Sequence, residues 1–335
     1  MRKYTAVRAM KSMAVFLLLL LLFPYVVSVF VNGAGTAAGD DPFCIRVRVA
    51  PEEGEQVTAE VEWTDYLAGI LALEMPEDCG DAAAEAMAVL IRTRLYRDAE
   101  DSGNPVPEDP FLTREEMQKQ WGTDHWKETY EKYVRAVENT DGCVLMYDGG
   151  YAWTPYFLSC SGMTRSAAEV LGSSEYPYVD IRECPLDKEA DEAIQTFTFS
   201  CRQIQELCRD FLVAADSGET AGQGYSAADL EILSDDSAGY VHEMRIGNTI
   251  CTGDQFRDAL SLPSSDFSIT ADQEDAQEVR ITTVGKGHGL GMSIWTAEQM
   301  AEEGKTCEEI LEFFFEGAEL HRDIWAEEIF QYSKL

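Results

Sequence analysis

Positive charge is scarce in this sequence. Its 335 residues include 26 Lys and Arg against 61 Asp and Glu, which gives a formal net charge of −35. Four of the basic residues stand in the first 31 positions, where there is no acid, so the remainder has 22 basic residues against 61 acidic ones. A chain of this charge repels nucleic acid, which we therefore exclude as a partner. Any other anionic partner would need the few arginines to be gathered at its binding site.

Several signatures of common active sites are also missing. The sequence has no phosphate-binding loop, no His-Glu-x-x-His and no Ser-His-Asp order, and it contains only four His. Its nine Cys are odd in number and none is spaced Cys-x-x-Cys, so a disulfide framework is not indicated. Free, buried thiols are expected instead, and Cys160 with Cys184 is the distant pair that merits a test.

The beginning of the chain holds a long uncharged run. Residues 1–12 are basic, and residues 13–31 form an apolar segment interrupted only by Pro24. About 20 apolar residues span a bilayer, whereas a cleaved signal peptide has an apolar region of about 7 to 15. We therefore expect a cytoplasmic 1–12, a retained single-pass anchor at 13–31, a linker at 32–42 and an extracytoplasmic domain beyond it. Cleavage among the small residues 33–38 is the alternative.

Periodicity in the rest of the chain predicts an α+β domain over 43–320. Alternating runs indicate short antiparallel strands and apolar stripes indicate several helices, which should surround a substrate cleft. Residues 186–246 are acidic and weakly patterned and could form a divergent lobe, and 321–335 is expected to be a helical tail. We predict strands at Cys44–Val49, Val57–Trp63, Gly142–Tyr147 and Tyr151–Leu158, a loop at 99–112, and helices at Asp81–Asp98, from Thr113, and at Trp126–Thr140, Cys201–Ala214, Thr296–Glu303 and Cys307–Phe315.

One carboxylate stands among apolar neighbours. Glu74 lies in the run Leu-Ala-Gly-Ile-Leu-Ala-Leu-Glu-Met-Pro, in which Pro76 ends a helix, and a second helix beginning near Asp81 should face it. Partial burial there would raise the pKa of the carboxyl group, as a general acid requires. A Glu that is merely solvated at a helix end is the alternative interpretation.

Two loops and one group of arginines are further candidates for ligand contacts. The loop Ser159-Cys-Ser-Gly162 offers hydroxyl groups, although its serines could instead bond their own backbone. The loop Gly287-His-Gly-Leu-Gly-Met-Ser293 lets the backbone approach a ligand, although His288 could equally orient the loop through a hydrogen bond. The helix after Glu74 carries Arg92, Arg94 and Arg97, of which the last two could simply satisfy the helix dipole.

These stretches resemble the signature of the SpoIID/LytB family, the family of stage II sporulation protein D. Its members read acidic-Tyr-Leu, Glu-Met-Pro, Ala-Arg-Thr and Gly-His-Gly-x-Gly-Met-Ser, and the resemblance covers most of 57–185 and 247–320. Relatives often have Gln at the positions of Met87 and Ile294, which alters the expected shape of the cleft. The matching stretches here are Asp65-Tyr-Leu67, Glu74-Met-Pro76, Ile91-Arg-Thr93 and Gly287–Ser293.

The resemblance implies a function. In the sporulation branch the Glu of Glu-Met-Pro is the catalytic residue of a peptidoglycan lytic transglycosylase, and that role would fall on Glu74. Such an enzyme cleaves the bond between N-acetylmuramic acid and N-acetylglucosamine, leaves 1,6-anhydro ends, and acts in engulfment during sporulation. We expect substrate contacts from Arg92, Ser159, Ser161, Gly162, His288, Gly289, Gly291 and Ser293.

The resemblance also implies partners and two alternatives. The partners would be peptidoglycan glycan strands, a cell-wall amidase and a membrane protein of the engulfment machinery. The alternatives are a LytB-like, non-catalytic glycan-binding enhancer of an N-acetylmuramoyl-L-alanine amidase and a structural wall-binding anchor. Some relatives carry zinc near the Ser-Gly loop. Here Leu158 and Ser159 precede Cys160 and the chain has few His, so no cofactor is expected.

Overall fold

The computed structural model describes residues 43–49, 57–122, 125–212, 226–271, 277–322 and 324–330. The predicted cytoplasmic segment, anchor and linker at 1–12, 13–31 and 32–42 lie outside these residues. Among the residues that are described, no helix is long and apolar enough to cross a membrane. From Cys44 onward the chain forms one compact unit.

Helices build the first part of this unit and return near its end. The helix after Glu74 runs to Ser102, four residues further than predicted, because Gly103 in the left-handed conformation is its first stop signal. The helices are α1 Trp63–Glu74, α2 Asp81–Ser102, α3 Arg114–Trp121, α4 Trp126–Asn139, α5 Ala167–Leu171, α6 Cys201–Leu207, α7 Gly253–Leu260, α8 Ile294–Glu302, α9 Cys307–Phe314 and α10 Ala326–Phe330.

Thirteen short strands are present in the described part of the chain, in sheets of two or three strands. All neighbouring strands pair antiparallel except β5 and β12, which pair parallel, so the predicted all-antiparallel arrangement is wrong at that place. The strands are β1 Cys44–Val49, β2 Val57–Glu62, β3 Val144–Tyr147, β4 Gly150–Tyr151, β5 Tyr156–Phe157, β6 Ile194–Ser200, β7 Leu230–Asp235, β8 Val241–Ile246, β9 Thr249–Thr252, β10 Phe267–Ala271, β11 Glu278–Val284, β12 Met292–Ser293 and β13 Glu319–His321.

The predicted strand Tyr151–Leu158 is divided into two. Its beginning pairs with β3, and its end, β5, pairs with β12 immediately before α8. The division follows from Pro155, which has no N–H for a continuous ladder and whose carbonyl instead accepts from the backbone N–H of Met292 at 3.0 Å. This pairing brings the residues after β5 next to the glycine-rich loop that precedes β12.

Helix α2 is the centre of the fold. It packs against α1, α4, α8 and α9 and against β3. Its alanines and apolar residues from Ala83 to Leu95 are almost completely buried, and their small side chains allow helices to approach on several sides. Because α1 and α2 are joined by only six residues, the end of α1 with Glu74 is held against this buried helix.

Residues 194–284 contain a hydrophobic core of their own. Strands β6 to β11 and helices α6 and α7 supply its members, among them Ile204, Met244, Phe256 and Ile281, all essentially buried. This part begins within the predicted divergent lobe 186–246 and continues beyond it. The predicted helix Cys201–Ala214 ends at Leu207, and the residues from 213 lie outside the described part.

Candidate active site

Glu74 is the last residue of α1, as the sequence predicts. The helix ends because Met75 is extended and Pro76 follows it. The side chain is half-buried. Throughout the described residues, no hydrogen bond or ion pair engages its carboxylate. The group is therefore held on a rigid element and is available to a ligand.

Two side chains of α4 fix the turn that follows Glu74. The Tyr133 hydroxyl donates to the carbonyl of Pro76 at 2.9 Å. The Lys132 ammonium donates to the carbonyls of Glu77 and Cys79 at 2.6 and 2.9 Å. Together with the bond from the Cys79 N–H to the Pro76 carbonyl at 3.1 Å, these bonds hold the turn in one conformation.

Glu298 of α8 fixes the other end of the same turn. Its Oε2 accepts from the backbone N–H of Gly80, directly before α2, at 2.7 Å. Its Oε1 is buried and has no partner within the described residues. Burial raises the pKa of Glu298 to about 7, although the Gly80 N–H and Lys132 act in the opposite direction. No sequence pattern indicates this role, because Glu298 is 218 residues away from Gly80.

Arg94 and Tyr156 supply the polar surroundings of Glu74. The Arg94 guanidinium binds Asp109 at 2.7 Å and lies 5.8 Å from the centre of the Tyr156 ring. Burial raises the pKa of Tyr156 to about 12; Arg94 lowers it and the Glu74 charge raises it. Burial alone would lower the pKa of Arg94, but Tyr156, Asp109 and Glu74 together raise it. Glu74 thus lies within electrostatic reach of one cation and one phenol.

Arg92, the predicted substrate contact, does not face this surface. It is fully buried, and its guanidinium donates to the carbonyls of Val137, Thr140 and Cys143 at 3.1, 2.7 and 3.0 Å. These carbonyls lie at and just beyond the end of α4, so Arg92 caps that helix from inside the domain. The structure thus shows Arg92 in a structural role, and its contact with substrate stays a prediction.

The Ser-Gly loop is only partly accessible. Ser159 is buried, and its direct contact with substrate stays a prediction. Ser161 and Gly162 are half-buried. Burial raises the pKa of nearby Asp266, and the Ser161 hydroxyl lowers it by favouring the carboxylate. Gly162 has φ +122°, and a Cβ there would lie 3.0 Å from Cε of Lys188, so a larger residue would be strained.

His288 is half-buried beside β5. Its Nδ1 accepts from the backbone N–H of Leu290 at 3.1 Å, and its ring lies 5.8 Å from that of Phe157. Burial, followed by the charges of Arg257 and Arg165, lowers the pKa of His288 to about 4, so the imidazole is neutral at neutral pH. The hydrogen bond is the loop-orienting role that the sequence left open.

The remaining residues of the glycine-rich loop are interior. Gly289, Gly291 and Ser293 are all buried, and their direct contact with substrate stays a prediction. A Cβ on Gly291 would lie 2.0 Å from the carbonyl oxygen of Pro155, which explains the glycine. The Ser293 hydroxyl donates to Asp187 at 2.6 Å and caps α8. These residues shape the loop from within.

The structure thus brings together Glu74, Arg94 and Tyr156, and His288 lies within hydrogen-bonding reach of the Tyr156 backbone. Arg94 was one of three candidate arginines, but the expected substrate contact was assigned to Arg92, and Tyr156 was not singled out from the sequence. Residues two apart on a helix point in nearly opposite directions, so only one of Arg92 and Arg94 can face the Glu74 surface. The helical period therefore contained a usable signal for Arg94. Tyr156 could not be found in that way.

Cys160, Cys184 and Asp187 form a buried cluster beneath the Ser-Gly loop. One ligand atom from each lies within 4.8 Å of the others. Asp187 already accepts from the Cys160 N–H at 2.7 Å and from the hydroxyls of Ser293 and Thr296. The Cys184 thiol, burial and the Asp187 charge all raise the pKa of Cys160, which favours a protonated thiol. The cluster offers one ligand fewer than a structural zinc requires, and the hydrogen bonds that Asp187 already accepts and the protonated Cys160 thiol favour a cluster without zinc.

Comparison with known proteins agrees with these features. The family model described as "Stage II sporulation protein", SpoIID, matches residues 51–147, which include Glu74 and Arg94. Stage II sporulation protein D of Bacillus subtilis is 28% identical over 289 residues, 82% of this chain and 77% of that protein. The protein of the same name from Bacillus amyloliquefaciens is 27% identical over 301 residues, 86% of this chain and 82% of that protein.

A more distant relative is the amidase enhancer of Bacillus subtilis, 24% identical over 297 residues, which make up 76% of this chain but 40% of that protein. The family match covers the Glu74 segment, and the similarity to the two sporulation proteins extends over most of the chain. The chain therefore contains a SpoIID domain and is similar to stage II sporulation protein D over most of its length.

Proposed function

We propose that this chain is a lytic transglycosylase that cleaves peptidoglycan glycan strands during engulfment in sporulation, with Glu74 as its catalytic acid and base. The observation that carries the proposal is the state of Glu74. This carboxylate is half-buried, stands at the end of a helix whose following turn is tied at both ends, and is free of partners among the described residues.

The reaction needs one carboxyl group. Protonated Glu74 gives its proton to the glycosidic oxygen between N-acetylmuramic acid and N-acetylglucosamine, and the bond from C1 to that oxygen breaks. The C6 hydroxyl of the same muramic acid then bonds to C1 and returns its proton to the Glu74 carboxylate. The products are a 1,6-anhydro end and a free 4-hydroxyl, and Glu74 is regenerated.

The surroundings of Glu74 favour this route over hydrolysis. A glycoside hydrolase usually needs a second carboxylate about 5 to 9.5 Å away to act as nucleophile or base. Two other carboxylates lie near Arg94: Asp109 is ion-paired with that arginine at 2.7 Å, and Asp98 lies one helical turn beyond it on α2. An intramolecular nucleophile removes the need for a second free carboxylate.

Accessible polar groups near Glu74 would hold the substrate. We assign Arg94 to an anionic or polar group of the sugar, in place of Arg92, because Arg94 is the cation within reach of Glu74. Ser161, Gly162 and His288 retain their proposed roles in positioning the glycan, since each is half-buried and not fully enclosed. His288 would act as a neutral hydrogen-bonding group.

The test is mass spectrometry of peptide-free glycan strands after incubation with the purified protein. We expect 1,6-anhydro ends from the native chain and at least about 10²-fold fewer from Glu74→Gln, which keeps the shape but cannot exchange the proton. Reducing ends would indicate hydrolysis, and equal product from the two proteins would refute the role of Glu74.

A second candidate function is supported by the similarity to the amidase enhancer. In that case the chain would bind glycan and stimulate a cell-wall amidase without cutting strands. Intact strands in the first experiment, together with faster peptide release when an N-acetylmuramoyl-L-alanine amidase is present, would favour this candidate. Glu74→Gln should leave such stimulation unchanged.

We also propose that residues 13–31 anchor the chain as a single span with the domain outside the cytoplasm, where an amidase and an engulfment membrane protein could meet it. The apolar run and the basic flank at 1–12 support this topology. Protease added to intact protoplasts should remove the domain and leave the anchor in the membrane. Protection of the domain would contradict the topology.

A further inference from the structure

A group of aromatic side chains lies one helical turn beyond the Glu74 site. Arg97 follows Arg94 by three residues on α2, so the two share a face and are separated by about 4.5 Å along the axis. Arg97 donates to the Tyr176 hydroxyl at 3.0 Å, and its guanidinium lies 5.3 Å from the centre of that ring. The Tyr176 ring in turn lies 4.8 Å from the ring of Trp153.

Trp153 also connects this group to the active site along the chain, since it precedes Tyr156 by three residues. The two segments therefore run side by side. Arg94 faces Tyr156 near Glu74, and one turn further Arg97 faces Tyr176, against which Trp153 packs.

The aromatic group has two layers. Tyr178 is 3% exposed and supports the others: its hydroxyl accepts from the backbone N–H of Trp153 at 2.7 Å, and its ring lies 6.4 Å from that of Tyr176. Trp153 and Tyr176 remain half-buried above it. The Tyr176 hydroxyl also donates to Glu175 at 2.9 Å, so it has a partner on each side and its ring is fixed.

Fixed, partly exposed aromatic rings suit one class of ligand in particular. The C–H face of a pyranose ring packs on an aromatic ring, and the polar edge of the sugar stays in water or bonds to charged groups at the rim. Arg97 provides such a charge in a chain with few cations. Trp153 and Tyr176 stay half-buried above a buried tyrosine, so part of each ring is open to a ligand.

We propose that Trp153 and Tyr176, held by Arg97 and Tyr178, form a second sugar-binding site for the glycan strand that Glu74 cuts. This inference rests on the proposed function, because the occupant is a sugar further along the same strand. It follows that the site contributes to binding of long strands and not of a single disaccharide, which would occupy only the positions beside Glu74.

The test measures binding in the Glu74→Gln background, so that no strand is cut. The probes are peptide-free glycan strands and the disaccharide of N-acetylglucosamine and N-acetylmuramic acid, titrated by calorimetry. Adding Trp153→Ala should raise the Kd for long strands by about 3- to 10-fold, the size of one aromatic stacking contact, and leave the disaccharide unaffected. Trp325→Ala, which removes another exposed tryptophan, is the matched control and should change neither Kd.

Trp153→Phe keeps an aromatic ring at this position and is the control for misfolding of Trp153→Ala. It should bind strands almost as well as the parent, while the change in tryptophan fluorescence on strand addition disappears. An unchanged Kd for long strands in a folded Trp153→Ala protein, or an equal loss in Trp325→Ala, would overturn the proposal. Strand binding without anhydro ends from the native chain would instead refute the proposed function and leave this site standing.

Discussion

Replacing Glu298 by Gln removes one buried ionisable group but keeps an oxygen that can accept from Gly80. The pKa of Glu298 rises from 4.5 to about 7 on folding, chiefly through burial, so the folded chain binds this proton more tightly than the unfolded chain does. The protonated carboxyl therefore makes its full contribution to the free energy of unfolding below pH 4.5, and this contribution is lost as the pH rises towards 7.

The size of this loss follows from the shift. Each pKa unit corresponds to about 1.4 kcal/mol, so a shift of this size sets a ceiling of about 3 kcal/mol. Solvent screening of a group that is not fully buried reduces the expected loss to about 2 kcal/mol. The difference in the free energy of unfolding between Glu298→Gln and the native chain should therefore shift by about 2 kcal/mol in favour of the variant between pH 4.5 and pH 8.

The assay is urea unfolding of both proteins at several pH values between 4.5 and 8. The difference between their free energies of unfolding is plotted against pH, so that titrations common to both proteins cancel. Glu303→Gln, at the exposed end of the same helix, is the control and should give a flat difference. A flat difference for Glu298→Gln, or one that favours the native chain as the pH rises, would refute the reasoning.

Three further predictions follow from the site. Arg92→Met should lower the free energy of unfolding by about 2 to 4 kcal/mol, because three carbonyls lose a charged donor. Arg94→Met should change the free energy of unfolding by less than about 1 kcal/mol and should chiefly lower the yield of anhydro ends. Denaturation of both, followed by product analysis, separates the two roles, and equal destabilisation would contradict them. The pKa of His288 falls from 6.5 to about 4 on folding, so the native chain should lose stability as the pH drops from 6.5 to 4. His288→Asn should lose less stability over that range, which acid unfolding curves of the two proteins would show. Parallel curves would argue against a buried neutral imidazole. Metal analysis of the purified protein should find no stoichiometric zinc, and one zinc per chain that is lost in Cys160→Ser or Cys184→Ser would contradict our interpretation of that cluster.

Much of the local structure could be predicted from the sequence. Pro76 placed Glu74 at a helix end, and the apolar stripe of α2 identified the central buried helix. The capping box at Thr113 and Glu116 marked the start of α3. These features depend on neighbours in the chain, which is why a pattern reveals them.

The composition of the site could not be predicted in the same way. Whether Arg92 or Arg94 faces outwards depends on what packs against each side of α2, and the deciding carbonyls near Thr140 are distant in sequence. The contacts of Tyr133 and Glu298 with the turn after Glu74 are equally distant. Glycine-rich and serine-containing loops were expected to touch a ligand, but Gly291 and Ser293 serve close packing.

The central claim is that the Glu74 carboxyl moves both protons while the sugar supplies the nucleophile. Quantifying 1,6-anhydro ends on peptide-free glycan strands treated with the native chain and with Glu74→Gln tests it most directly. The account predicts anhydro ends from the native protein and a loss of at least about 10²-fold in the variant, with strand binding retained. Reducing ends in place of anhydro ends, or equal product from both proteins, would contradict it.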